Sequence, residues 1–157
     1  MSELRKYVAI DDTDHESDDG RNRGTGSKSR ALARELIELV GGRHLGITRH
    51  QLLVDAAIPY TSHNSSACIV LGVHGGLADV TAELLGASEL YLTEIASPGS
   101  DVGLCIAEES HVSPAVVQWG QRAKREVLTM DGAYDVNAGN TGTDSVVNRM
   151  ARRCLPP

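Results

Sequence analysis

Short apolar runs alternate with helical stripes along this chain, and that pattern alone predicts an α/β architecture. Tyr7-Val-Ala-Ile10 is an apolar run that ends in carboxylates and reads as a buried strand. Asp11 to Gly26 is polar and Gly-rich, which predicts a loop. Ser27 is the expected cap of a helix in which Leu32, Leu36, Leu39 and Val40 recur at helical spacing, and Gly41-Gly42 is its stop. His44 to Val54 carries a weaker strand pattern. Pro59 and the polar cluster Thr61 to Ser66 then predict an extended loop, and Ala67 to Val73 a second clearly buried strand. Leu77, Val80, Thr81, Leu84 and Leu85 mark an amphipathic helix ending at Gly86. Leu90 to Ile95 reads as a short strand and Val102 to Ala107 as another. Ser113-Pro114 is a helix start, a capping Ser followed by Pro at the first helical position, and its helix runs towards Val127. A last helix is expected from Thr143 or Asp144.

The order β-α-β-β-α-β followed by helices predicts a ferredoxin-like α/β (α+β) sandwich with C-terminal helices. An open doubly wound sheet is the alternative, and the adjacency of the second and third strands speaks against it. No repeat or low-complexity tract breaks the pattern. One domain over residues 1–157 is expected, with its core at 7–110 and a helical extension at 111–157.

Composition narrows the chemistry. Aromatics are 3% of the chain and Phe is absent, so Leu, Val, Ile and Ala must build the core, and stacking platforms for single-stranded nucleic acid are scarce. The net charge of −6 argues against bulk affinity for a polyanion. Cys68, Cys105 and Cys154 are scattered, which fits buried thiols in a reducing, cytoplasmic setting better than disulfides or structural zinc. Met1 to Lys6 is polar and charged, and no apolar run reaches the roughly 20 residues of a membrane span.

Three constellations carry candidate chemistry. Asp11-Asp12-Thr13-Asp14 follows the first strand, and alternation would set Asp12 and Asp14 together, where two carboxylates and substrate phosphates suit Mg²⁺. An acidic turn is the plainer alternative. Gly24-Thr-Gly26-Ser27-Lys28 opens the first helix, where backbone N–H groups can approach phosphate; Ser27 interrupts the Gly-Lys-Ser/Thr order, so this is not a P-loop. Gly139-Asn140-Thr141-Gly142-Thr143 is a second Gly-rich loop before a helix. Arg21 or Arg23 could close over such a site, whereas Trp119 reads as a packing residue.

Tyr7 to Asp14 resembles the start of the tRNA 2-agmatinylcytidine synthetase family, which acts on an isoleucine tRNA. In the same order, Gly24 onward is similar to the family's Gly-x-Cys-Thr-Thr loop and Ile58-Pro59-Tyr60 to its Ile-Pro-Tyr-Lys-Thr segment. Ser97-Pro98-Gly99 is similar to a Pro-Gly turn, and Gly139 to Asp144 to a late Gly-rich loop. The resemblance implies an ATP- and Mg²⁺-binding region, with Asp11, Asp12 and Asp14 serving metal and phosphates. Ser27 would stand where the family has a functional Thr. The chain departs from the family in having no zinc cysteines, no length for OB-fold and zinc-ribbon modules, and Thr61-Ser62-His63 where basic residues are expected. The implied function is ATP–Mg binding with phosphoryl transfer or ATP hydrolysis, as a phosphotransferase or ligase that would meet tRNA only with help from another chain. Catalytic roles fall to Asp11, Asp12, Asp14 and Ser27; Gly24, Gly26, Lys28 and residues Gly139 to Thr143 would hold the nucleotide. A non-catalytic small-ligand sensor or partner subunit is the alternative. An Asp-nucleophile phosphatase ranks last, because Glu16 stands where Thr or Val is required.

Overall fold

A computed structural model describes residues 3–14, 24–60, 64–74 and 80–138. Four strands form one antiparallel sheet: β1 (Glu3–Asp11), β2 (Arg43–Gln51), β3 (Ser65–His74) and β4 (Gly103–Glu108), in the order β2-β3-β1-β4. Helix α1 (Thr25–Val40) joins β1 to β2, and α2 (Val80–Ile95) joins β3 to β4. Strands β1 and β2 both pair with β3 in antiparallel fashion, so β3 is inserted between two parallel strands. This is the split β-α-β arrangement of a ferredoxin-like fold.

Alternation decides which face of the sheet is covered. Along β1, Lys6, Val8 and Ile10 are buried while their neighbours are more open, and Ile69, Leu71, Leu104 and Ile106 share the covered side. Leu32, Leu36 and Val40 of α1 and Leu84 and Leu92 of α2 close that core, which contains no aromatic ring. On the opposite face Cys68 and Cys105 both stand in register with Ala9. Burial pushes both thiols up, Cys105 to about 11, so they behave as small apolar groups rather than nucleophiles.

Two boundaries differ from expectation. Helix α2 runs through Gly86 to Ile95, so the short strand expected at Leu90 to Ile95 is its last two turns. Ser88 and Leu92 are buried on the stripe that begins at Val80 and Leu84, and this packing outweighs the helix-breaking tendency of one glycine. The helix expected to reach Val127 ends at Arg122 as α3 (Pro114–Arg122), capped by Ser113 as predicted. A separate α4 (Met130–Ala138) packs against it. Gly132 lets α4 approach Trp119, since a Cβ there would fall 2.4 Å from the ring. The Gly139 to Thr143 loop and the helix expected after it lie outside the described residues.

Candidate functional site

The end of β1 turns sharply. Asp12 has a φ of 48°, a left-handed conformation that Asp tolerates better than most residues, so strand alternation stops at Asp11. Hydrogen bonds hold this turn from several sides. The Asp12 N–H donates to Asp11 Oδ1 at 2.8 Å, and the Asp101 N–H donates to Asp12 Oδ2 at 3.3 Å. Thr13 is fully buried, and its carbonyl accepts from Lys28 Nζ at 2.6 Å and from the Ser97 N–H at 3.2 Å. Its hydroxyl lies 3.0 Å from that of Thr25, which ties the turn to the first residue of α1. Asp14 Oδ1 accepts from Lys28 Nζ at 3.1 Å.

Helix α1 is capped by Gly24 rather than by the expected Ser27, which lies three residues inside. The Ser27 and Lys28 N–H groups both close onto Gly24 O, at 2.8 and 3.3 Å. Thr25 and Gly26 are therefore the helix-start positions left to offer N–H groups outward. Gly24 also sits close to the acidic turn, because a Cβ there would lie 3.4 Å from Asp14 Oδ2.

An open cavity of about 1000 Å³ lies where these pieces meet. Asp11, Asp12 and Asp14 form one wall and Gly24 to Ser27 the floor. Ile58, Pro59 and Tyr60 come in from the β2–β3 loop, and Ala123, Glu126 and Leu128 from beyond α3. The Leu53 N–H donates to Ala123 O at 3.2 Å, and this docks the end of α3 on the rim. Two of the three candidate constellations thus share one cavity, and the Ile58-Pro59-Tyr60 segment joins them. Lys28 stands behind the acidic turn rather than on the cavity wall, 6% exposed.

Sequence reasoning missed Arg30 and Arg49, which line the same cavity as the carboxylates. A signal existed for Arg30: it lies one helical turn after Gly26, so its guanidinium can fold back over the glycine. Arg49 had none, because its placement depends on strand pairing with β3.

Burial raises the Asp11 carboxyl to about 6, assisted by the charges of Asp12 and Asp14 and opposed by the Asp12 N–H. Among the described residues no group of three or more His, Cys, Asp or Glu forms a metal cage. Mg²⁺ does not require one, since it commonly takes one or two carboxylates and completes its shell with phosphate oxygens and water. An acidic turn with Asp14 Oδ2 directed towards the Gly24 side fits that donor set.

Fold and cavity define a ferredoxin-like α+β domain whose cleft is lined by both carboxylates and arginines. Among solved structures the fold is that of TiaS, a tRNA agmatidine synthetase. Its complex with an isoleucine tRNA, AMPCPP and agmatine matches with a TM-score of 0.69 and 18% identity, over 95% of this chain and 34% of that one. The TiaS–tRNA–ATP complex matches at 0.66 and 23%, over 87% and 31%. A tRNA fluorescent labelling enzyme matches at 0.62 and 25%, over 86% and 30%. This chain therefore spans about a third of the length of those proteins. No protein-family model and no curated sequence matches it. No helix among the described residues is long and apolar enough to cross a membrane.

Proposed function

We propose that this chain is an ATP–Mg-binding domain related to tRNA-modifying enzymes, and that it handles the phosphates of ATP in its cleft. One observation carries the reading. The acidic turn, the Gly24 to Ser27 helix start and the Ile58-Pro59-Tyr60 loop are far apart in sequence yet line a single cavity. Each belongs to a segment that resembles the same ATP-using family. Two structures with this fold contain ATP or its analogue AMPCPP.

In this reading the helix start receives phosphate oxygens on the N–H groups of Thr25 and Gly26, where the helix dipole also favours negative charge. Asp12 and Asp14 would hold the magnesium that accompanies the nucleotide and neutralises its charge. Lys28 fixes Asp14 through Oδ1, so it acts as a positioning residue rather than a phosphate ligand. Asp11, raised to about 6, can accept a proton near neutral pH. Ser27 lines the cavity and would offer its hydroxyl to a transferred phosphoryl. Positioning and charge neutralisation supply most of the rate in such reactions. Action on tRNA would draw on recognition modules beyond the third of the tRNA-bound proteins that this chain matches.

Calorimetric titration with ATP, with and without Mg²⁺, tests the reading. Binding should require magnesium and should weaken about tenfold or more in Asp12→Asn/Asp14→Asn. Magnesium-independent binding, or none at about 1 mM ATP, a concentration typical of weak nucleotide sites, would overturn it.

A further inference from the structure

Arg30 and Arg49 line more than the main cavity. A side groove of about 360 Å³ opens from it between the first turns of α1 and the edge strand β2, and Thr25, Gly26, Arg30, Arg49 and Ser65 border both spaces. In a protein of net charge −6, the described lining of this groove contains no Asp or Glu. It has instead two arginines, His44, and the hydroxyls of Thr25, Ser65 and Ser66, over a floor that includes Ile47 and Ala67.

The two guanidinium groups are held but not neutralised. Arg49 donates through Nε to Ser65 Oγ at 3.0 Å, which restrains its guanidinium beside the groove. Arg30 folds back over the helix start, its Nη1 3.9 Å from where a Cβ on Gly26 would lie. Neither has an acidic partner among the described residues, although the arginines at positions 5, 43 and 122 each pair with a glutamate. Two unpaired guanidinium forks beside hydroxyl donors match the geometry of a phosphate group.

We propose that this groove is a second anion subsite that takes a phosphate ester carried by the second substrate, beside the ATP site. The inference rests on the nucleotide reading only for the word "second"; the anion subsite itself stands on the groove. A phosphate seated between Arg30 and Arg49 would bring the rest of its molecule to the mouth shared with the main cavity. The ester could belong to a small molecule or to one backbone position of a nucleic acid, and the test separates these.

The full chain is titrated with ribose 5-phosphate, with unphosphorylated ribose and with a short single-stranded RNA, each with and without ATP–Mg. The wild type should bind one or both phosphate-bearing probes and not ribose. Arg30→Gln/Arg49→Gln should weaken that binding about tenfold or more, and by a larger factor than it weakens ATP–Mg binding. Asp12→Asn/Asp14→Asn should show the reverse. Binding of ribose 5-phosphate assigns a small phosphate ester, and binding of RNA alone assigns a backbone phosphate. Both arginines are exposed, so the variants should melt as the wild type does. The proposal is overturned if the wild type binds neither phosphate probe at about 10 mM, an affinity below useful recognition. It is equally overturned if the arginine variant keeps its probe binding, or if ATP binding falls as far as probe binding. Arginine-dependent probe binding in a protein that ignores ATP would keep the subsite and remove the nucleotide reading.

Discussion

Strand β1 ends twice on a buried lysine, and the two ends are built to different accounts of charge. Near its start, Lys6 is 7% exposed and donates to Glu108 Oε2 and Thr81 Oγ1, both at 2.9 Å. One cation there meets one carboxylate. Glu108 sits below the usual carboxylate range, first because Ser110 donates to it and then because Lys6 does. At the other end Lys28, 6% exposed, meets Asp14 and the Thr13 carbonyl, but Asp11 and Asp12 crowd the same turn. Among the described residues, one cation meets a turn of three carboxylates. The balanced end ties β1 to β4 and α2 and asks for nothing more. Among the described residues the acidic end carries more negative charge than Lys28 offsets, as expected where a site is kept at some cost in stability.

The largest effect should come from removing the lysine at the unbalanced end. Lys28→Met should destabilise the domain by about 3 kcal/mol, because Asp14 loses its ion pair and the buried Thr13 carbonyl one of its two donors while the carboxylates of Asp11 and Asp12 stay beside it. Lys6→Met should cost less, about 2 kcal/mol, since a single carboxylate loses its partner there and Glu108 keeps its hydrogen bond from Ser110. Urea unfolding at pH 7 measures both midpoints. Equal losses, or a larger loss at Lys6, would mean that the difference in charge balance has no energetic content.

Much of this contrast can be read in the sequence, and the unread part has a physical reason. The apolar run Tyr7 to Ile10 followed by three carboxylates located the acidic end, and the Gly-rich stretch located the start of α1. The sheet bears out the β-α-β-β-α-β order, whereas the convergence of these segments is visible only in the folded chain. What periodicity could not supply was pairing. Lys6 meets Glu108 across 102 positions, and Arg49 reaches the groove because β2 pairs with β3. Left-handed backbone at Asp12 was equally hidden, because it is held by Asp101, a residue remote in sequence. The strand expected at Leu90 to Ile95 shows the opposite error, where local pattern was trusted over the helix that tertiary packing prolongs.

The smallest expected effect has the opposite sign, and so tests the comparison most sharply. Asp11 rises from 3.8 to about 6 in the folded chain, chiefly through burial. Its folded form therefore holds a proton more tightly than its unfolded form. Stability from this group is full below about pH 4 and is lost as pH rises towards 6, a loss of at most about 3 kcal/mol and less for a partly open site. Asp11→Asn keeps an oxygen for the Asp12 N–H and removes the charge. In buffer free of divalent cations it should stabilise the domain at pH 7.5 by about 1–2 kcal/mol and flatten the stability profile between pH 4 and 6. Unfolding midpoints across that range measure both. A variant less stable than wild type at pH 7.5 would mean that the Asp11 charge is compensated within the fold, and the unbalanced end would then be no more a store of charge than the end at Lys6.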